Sequence, residues 1–126
     1  MSRRIAIVDD DPRIRALLRL EIEDEGLEAK CCSSCAELLE ALKECEIDLV
    51  LLDLMMPDVD GLECLSFLRE EKFSGVTVMV TSLQDEGKRR QALSKGAEDY
   101  VLKPEFIDGL PDVIRKYLDL KYIDKE

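Results

Sequence analysis

Short apolar runs and longer amphipathic stretches alternate five times along this chain. Ile5 to Val8 is a continuous apolar run, and Ile14, Leu17, Leu18 and Ile22 then recur at helical spacing until Gly26 stops the pattern. Leu27 to Cys32 reads as a second strand, with Leu38, Leu39, Leu42 and Cys45 as the buried stripe of the helix behind it. A third strand, Leu49 to Leu52, leads through a loop with Pro57 and Gly61 into a helix carrying Leu62, Leu65 and Leu68. Val76 to Val80 is the fourth strand. The stretch from about Asp85 to Lys95 predicts the least amphipathic helix, with few apolar positions beyond Ala92 and Leu93. Tyr100 to Leu102 makes a short fifth strand, and Phe106, Leu110, Val113, Ile114, Tyr117 and Leu118 fall on one face of the last helix.

Strands that are continuously apolar, rather than alternating, are buried on both sides, and that requires helices on both faces of a parallel sheet. The pattern therefore predicts an α/β fold built on an open, doubly wound sheet. In such sheets ligands bind outside the carboxyl ends of the strands. The polar residues that directly follow each apolar run are Asp9, Asp10 and Asp11, then Asp53, then Thr81 and Ser82, then Lys103. Adjacent carboxylates repel and need solvent, a proton or a cation. Acids from the first and third strands form an oxygen cage suited to a hard cation such as Mg²⁺. Taken singly these residues have plainer readings, since Asp11 before Pro12 is a good helix N-cap and Lys103 can simply be solvated. Their joint placement on successive strand ends is what points to a site.

At 126 residues the chain is read as one domain spanning 1–126, long enough to bury a core without metal or disulfide staples. Lys and Arg number 18 against 29 Asp and Glu, a net charge of −11. That excess repels phosphate backbones and anionic membranes, so no direct nucleic-acid or membrane binding is expected. The one basic cluster, Lys88, Arg89 and Arg90, sits among Asp85, Glu86 and Glu98 and reads as a solvated helix face. No apolar run approaches the roughly 20 residues of a membrane span, and no signal-peptide core follows Met1, so the cytoplasm is the expected location.

Five cysteines, Cys31, Cys32, Cys35, Cys45 and Cys64, form an odd set without framework spacing, as in a reducing compartment. Cys32-Ser-Ser-Cys35 matches the CxxC pattern of redox sites. Neither a thioredoxin-like context nor a His or second Cys pair for zinc accompanies it, so small residues packing at a strand-to-helix junction is the expectation.

The segments "VDDDP" at 8–12, "LLDLMMPDVDG" at 51–61, "VMVTS" at 78–82 and "GAEDYVLKP" at 96–104 resemble, in this order, the receiver domain of two-component response regulators, over essentially the whole chain. The resemblance implies a flavodoxin-like sheet of order 2-1-3-4-5 with five helices. It implies that Asp53 is the phosphoacceptor, served by a histidine kinase or a histidine phosphotransfer protein. Asp10 and Asp53, with the backbone carbonyl of Met55, are implied to hold Mg²⁺, and Asp9 to act through a bound water. Thr81 and Lys103 are implied to bind the phosphoryl group, with Thr81 moving inward and Tyr100 rotating behind it. That shift is implied to switch partner binding on the face formed by the fourth helix, fifth strand and fifth helix. Met55 and Leu83 occupy positions that influence dephosphorylation; both are apolar, so slow self-dephosphorylation is expected.

The implied output is a downstream effector protein or a C-terminal output domain absent from this sequence, and a second copy of the chain on phosphorylation is a further partner. The protein is expected either to act alone by docking or to be the receiver of a longer regulator. On this reading it is not an enzyme beyond catalysing its own phosphorylation and slow dephosphorylation. Two departures from the family pattern stand out: Glu105 separates "LKP" from Phe106, and Ser82 replaces a small Ala or Gly; the resemblance also implies a cis bond between Lys103 and Pro104. Two other classes compete. A haloacid-dehalogenase-like phosphatase would use Asp9 as nucleophile, and a pseudo-receiver would bind partners without phosphate.

Overall fold

A computed structural model describes residues 3–103 and 109–124, with side chains as far as Leu118. Its elements are β1 (Arg4–Val8), α1 (Pro12–Asp24), β2 (Glu28–Cys32), α2 (Cys35–Glu44), β3 (Leu49–Asp53), α3 (Gly61–Glu70), β4 (Val76–Thr81), α4 (Glu86–Ser94), β5 (Asp99–Leu102) and α5 (Leu110–Asp124). The five strands are parallel and ordered β2-β1-β3-β4-β5. Every predicted strand is present, each within a residue or so of its expected bounds.

Period-two alternation within the buried strands divides the core into two layers. Ala6 and Val8 of β1, Val50 and Leu52 of β3 and Met79 of β4 face α2 and α3, where Leu38, Leu65 and Leu68 complete the packing. Their neighbours Ile5, Ile7, Leu49, Leu51, Val78 and Val80 face the other way, against Leu18 and Ile22 of α1 and Leu110, Ile114, Tyr117 and Leu118 of α5. Both faces of the central strands are sealed, which is why they read as unbroken apolar runs.

Local chemistry sets the helix starts. Asp11, Ser34, Asp60 and Asp85 each accept a hydrogen bond from a backbone N–H of the helix that follows, and Pro12 opens α1 where no N–H is needed. Gly26 follows α1 with φ +79°, a left-handed conformation that glycine adopts without steric cost.

The structure corrects the predicted stripe of α1. Leu18 and Ile22 are buried, but Leu17 is 38% exposed. It stands one helical step, roughly 100°, from Leu18, and rotation of the helix that centres Leu18 and Ile22 on the sheet turns Leu17 to the rim. Phe106, expected to open the last helix, lies outside the described residues, as do Pro104 of the Lys103–Pro104 bond and Glu105. Among the described residues no helix is long and apolar enough to cross a membrane.

Candidate functional site

The parallel sheet brings the ends of β1, β3, β4 and β5 to one edge. Val8 pairs with Leu52 and Asp53 with Val80, so the residues just past β1 lie beside the last residue of β3. Thr81 pairs with Leu102, which puts Lys103 at the same edge. Residues up to 94 positions apart in the chain, Asp9 and Lys103 at the extreme, thus converge because of strand order alone.

The three consecutive aspartates do different things. Asp9 is buried, its backbone N–H continues the sheet by donating to the Cys32 carbonyl at 3.1 Å, and its Oδ1 accepts from the Asp11 N–H at 2.9 Å. Asp10 is exposed. Asp11 turns away to cap α1, accepting from the Arg13 N–H at 2.9 Å, as expected of a residue before Pro12. Asp53 is buried, and its Oδ1 accepts from the Met55 N–H at 3.2 Å. Among the described residues Asp9, Asp10 and Asp53 form a cluster in which one carboxylate oxygen from each lies within 4.8 Å of the other two.

Lys103 closes one side of that cluster. Its Nζ is 3.0 Å from Asp9 Oδ2 and 3.4 Å from Asp53 Oδ2. Burial works against the ammonium charge, but the hydrogen bond to Asp9 and the charges of Asp53 and Asp9 outweigh it, and the Lys103 pKa is raised. It therefore stays a cation at neutral pH. One ammonium does not balance the acids: burial first, and then the Asp9 charge, push the Asp53 carboxyl up to about 6 in spite of Lys103 and the Met55 N–H.

These residues fit a divalent cation. All donors are carboxylate oxygens, the preference of Mg²⁺, and a separation within 4.8 Å needs only slight closure to span an ion that sits 2.0–2.1 Å, roughly, from each ligand. The uncompensated negative charge around Asp53 supplies the drive. Exposure of Asp10 leaves one side of the cluster open to the water molecules that such an ion keeps.

The remaining predicted residues surround the cluster. Thr81 is fully buried at the end of β4, its Oγ1 accepting from the Leu83 N–H at 3.1 Å. Tyr100 is buried on the α4 side of the sheet, where its hydroxyl donates to the Leu83 carbonyl at 2.6 Å. Thr81 and Tyr100 are therefore tied to the same residue, one through its N–H and the other through its carbonyl. Burial, and then the charge of Asp85, raise the Tyr100 pKa, so its hydroxyl remains a donor. Beside it, Gln84, Asp85, Arg89 and Leu102 line an open cavity between α4 and β5. Met55 is 55% exposed next to the cluster, whereas Leu83 is partly buried.

Two features escaped the sequence reading. Arg15, one turn into α1, donates from Nη1 to the Asp9 carbonyl at 2.7 Å and braces the turn that carries the acids; a cation one turn beyond an acid cluster is a weak signal for this. Cys35 and Cys64, 29 residues apart, are joined as a disulfide. This corrects the expectation that Cys35 only packs at the strand-to-helix junction, and its partner is not the Cys32 of its CxxC pattern, which is free. No spacing motif announces the pair, because it depends on how α2 and α3 lie side by side.

The family model described as the response regulator receiver domain matches residues 5–115. The transcriptional regulatory protein SrrA of Staphylococcus aureus is 39% identical over 104 residues, which cover 82% of this chain and 43% of SrrA. The chain thus spans less than half the length of the curated relatives it matches. Among solved structures, a CheY-like response regulator receiver domain protein from Methanospirillum hungatei JF-1 superposes with a TM-score of 0.92 at 28% identity, covering 98% of this chain and 99% of that one. The response regulator protein TrrA from Thermotoga maritima, solved in complex with Mg²⁺ and BeF, gives 0.80 at 31% identity over 91% of this chain and 98% of that one.

Proposed function

Because the chain belongs to the response regulator receiver family of two-component signalling, whose members are phosphoacceptors rather than true enzymes, we propose that Asp53 accepts a phosphoryl group from a phosphohistidine and that this modification changes what the protein binds. The donor is a histidine kinase or a histidine phosphotransfer protein. The observation that carries this reading is the convergence of Asp9, Asp10 and Asp53 within 4.8 Å with Lys103 against two of them. Membership of the family also removes the phosphatase reading in which Asp9 is the nucleophile.

In this mechanism an Asp53 carboxylate oxygen attacks phosphorus in line. The phosphorus–nitrogen bond to the donor imidazole breaks as the acyl phosphate forms. Asp10 and Asp53, with the Met55 carbonyl, would hold Mg²⁺, and Asp9 would act on it through a bound water. When bound, Mg²⁺ neutralises charge on the transferring oxygens. Lys103, already held between Asp9 and Asp53, exchanges part of that pairing for a phosphoryl oxygen, and Asp9 orients the bound water from its buried position.

Once phosphate is present, Thr81 Oγ gains an acceptor to donate to. Its present bond from the Leu83 N–H is the one at stake. Because the Tyr100 hydroxyl is held by the carbonyl of that same residue, movement of Thr81 is felt by Tyr100 and by the α4–β5 cavity beside it. The surface formed by α4, β5 and α5 is then the one whose two arrangements a partner reads. That partner is an effector protein, an output domain in the same polypeptide, or a second copy of the chain. On this reading residues 1–126 act as one receiver domain in the cytoplasm, where the kinase presents its phosphohistidine.

The test is intact mass after incubation with Mg²⁺ and a small phosphoryl donor. Gain of one phosphoryl group supports the proposal, and no gain with any donor favours a phosphate-independent interaction module. The same experiment yields a lifetime. Neither the exposed Met55 nor the half-buried Leu83 carries a group able to orient an attacking water, so the phosphoprotein is expected to decay over minutes or longer once donor is removed. Decay within seconds would refute the roles given to these two side chains.

A further inference from the structure

Besides the sheet ladders, a covalent link ties one helix to another: Cys35, the first residue of α2, to Cys64, in the first turn of α3, with Cα atoms 5.6 Å apart. Both residues are buried, at 2% and 0% exposure. Cys64 sits where its own N–H donates to the Asp60 carbonyl at 2.9 Å, the hydrogen bond that starts α3. Three residues earlier, the Gly61 N–H donates to the Leu54 carbonyl at 2.9 Å, so the first turn of α3 is laid directly on the backbone after Asp53. Between these anchors runs the loop that contains Met55. It includes Asp58 in the left-handed region at φ +67°, which Asp adopts more readily than most non-glycine residues and which makes a tight turn in the loop.

We propose that Cys35 and Cys64 are a reversible thiol–disulfide pair whose oxidation clamps the α3 end of the loop beyond Asp53 and so regulates that site. The second half of this statement rests on the phosphoacceptor reading; the first does not. Oxidation proceeds by exchange with a small-molecule or protein disulfide. The Cys35 thiolate attacks one sulfur of that disulfide and releases one thiol, and the Cys64 thiolate then displaces the second. The protein dithiol loses two electrons and two protons, and the reagent leaves as two thiols. The exchange can equally begin at Cys64, since Cys35 is the first residue of α2 and Cys64 lies in the first turn of α3. Cys32 does not compete: it is buried, and burial, with the charge of Glu37, holds its thiol up to about 11, so it stays protonated at neutral pH. Since both paired sulfurs are out of solvent, exchange requires local separation of α2 from α3, which makes the device slow compared with phosphoryl transfer.

The whole chain, equilibrated in glutathione buffers from reducing to oxidising, alkylated and peptide-mapped, tests the pair. A cross-linked Cys35–Cys64 peptide at the oxidising end, in a protein that takes up two fewer alkyl groups than the reduced form, is expected; a Cys32–Cys35 link, or no link in any buffer, overturns the proposal. Thermal unfolding of the oxidised form is expected roughly 10 °C above the reduced form. Amide exchange from Leu54 to Cys64 is expected to slow roughly tenfold on oxidation, and equal exchange in both states overturns the clamp. A Cys35→Ala/Cys64→Ala variant is expected to match the reduced protein and ignore the redox buffer; a variant that still responds overturns the assignment of the pair. Phosphoryl uptake is measured in both buffers. Redox-dependent exchange without any phosphoryl uptake refutes the phosphoacceptor reading and supports the clamp, whereas uptake at equal rates in both buffers refutes the regulation alone.

Discussion

Asp53→Asn is expected to abolish stable phosphoryl uptake, a loss on the order of 10³-fold or more in initial rate, because the amide offers no carboxylate nucleophile. Intact mass with Mg²⁺ and a small phosphoryl donor reads the result. Asp9→Asn separates the two acids: it weakens the cation site but leaves the nucleophile, so uptake is expected to slow without disappearing. Persistence of full uptake in Asp53→Asn, or its loss only in Asp9→Asn, would remove Asp53 from the centre of the mechanism. The same variant has a second, structural readout. In the metal-free protein Asp53 is buried beside a second acid with one lysine between them, and its carboxyl is pushed up to about 6 by burial and the Asp9 charge. Removing one of two like charges is expected to raise the melting temperature without Mg²⁺ and to shrink the rise that Mg²⁺ produces in the parent protein.

Gly61→Val is expected to be the most damaging single substitution near the site. A Cβ at position 61 would stand 2.5 Å from the Asp53 carbonyl oxygen and 2.8 Å from Leu54 Cα, and neither backbone atom can swing aside as a side chain can. The start of α3 must lift off, taking the Leu54 hydrogen bond with it. A cost of roughly 2–4 kcal/mol in denaturant unfolding is expected, together with weaker stabilisation by Mg²⁺ because the loop carrying Met55 is displaced. Gly87→Ala in α4 is the control. There the nearest atom to a new Cβ is Asp85 Oδ1 at 3.3 Å, the capping oxygen that accepts from the Lys88 N–H; a shift of a few tenths of an ångström there is offset by the better helix propensity of alanine, and a near-neutral change is expected. If both variants were equally stable, the close approach of α3 to Asp53 would not be what positions the loop.

The aspartates at 9 to 11 show where sequence reading reaches its limit. That they end a buried strand follows from the apolar run before them, and that Asp11 caps the next helix follows from Pro12. Which of the other two is buried does not follow: Asp9 continues the sheet and faces Lys103, while Asp10 stands in solvent. The cysteines make the same point more sharply, since a local CxxC spacing drew attention to Cys32 while the bond formed is to Cys64 on another helix. Leu17 satisfies the helical repeat yet lies at the rim, because the repeat defines an arc and the sheet selects its centre.

By itself the chain determined the alternation of strands and helices, the parallel character of the sheet and the edge on which Asp53, Thr81 and Lys103 appear, since each depends on periodicity over a few residues and on what ends each run. Tertiary structure alone decided that Lys103 lies between Asp9 and Asp53, that Thr81 and Tyr100 share Leu83, and that α2 and α3 are covalently joined. Those contacts join residues far apart in sequence, and their geometry depends on strand register and helix rotation, which no local pattern encodes.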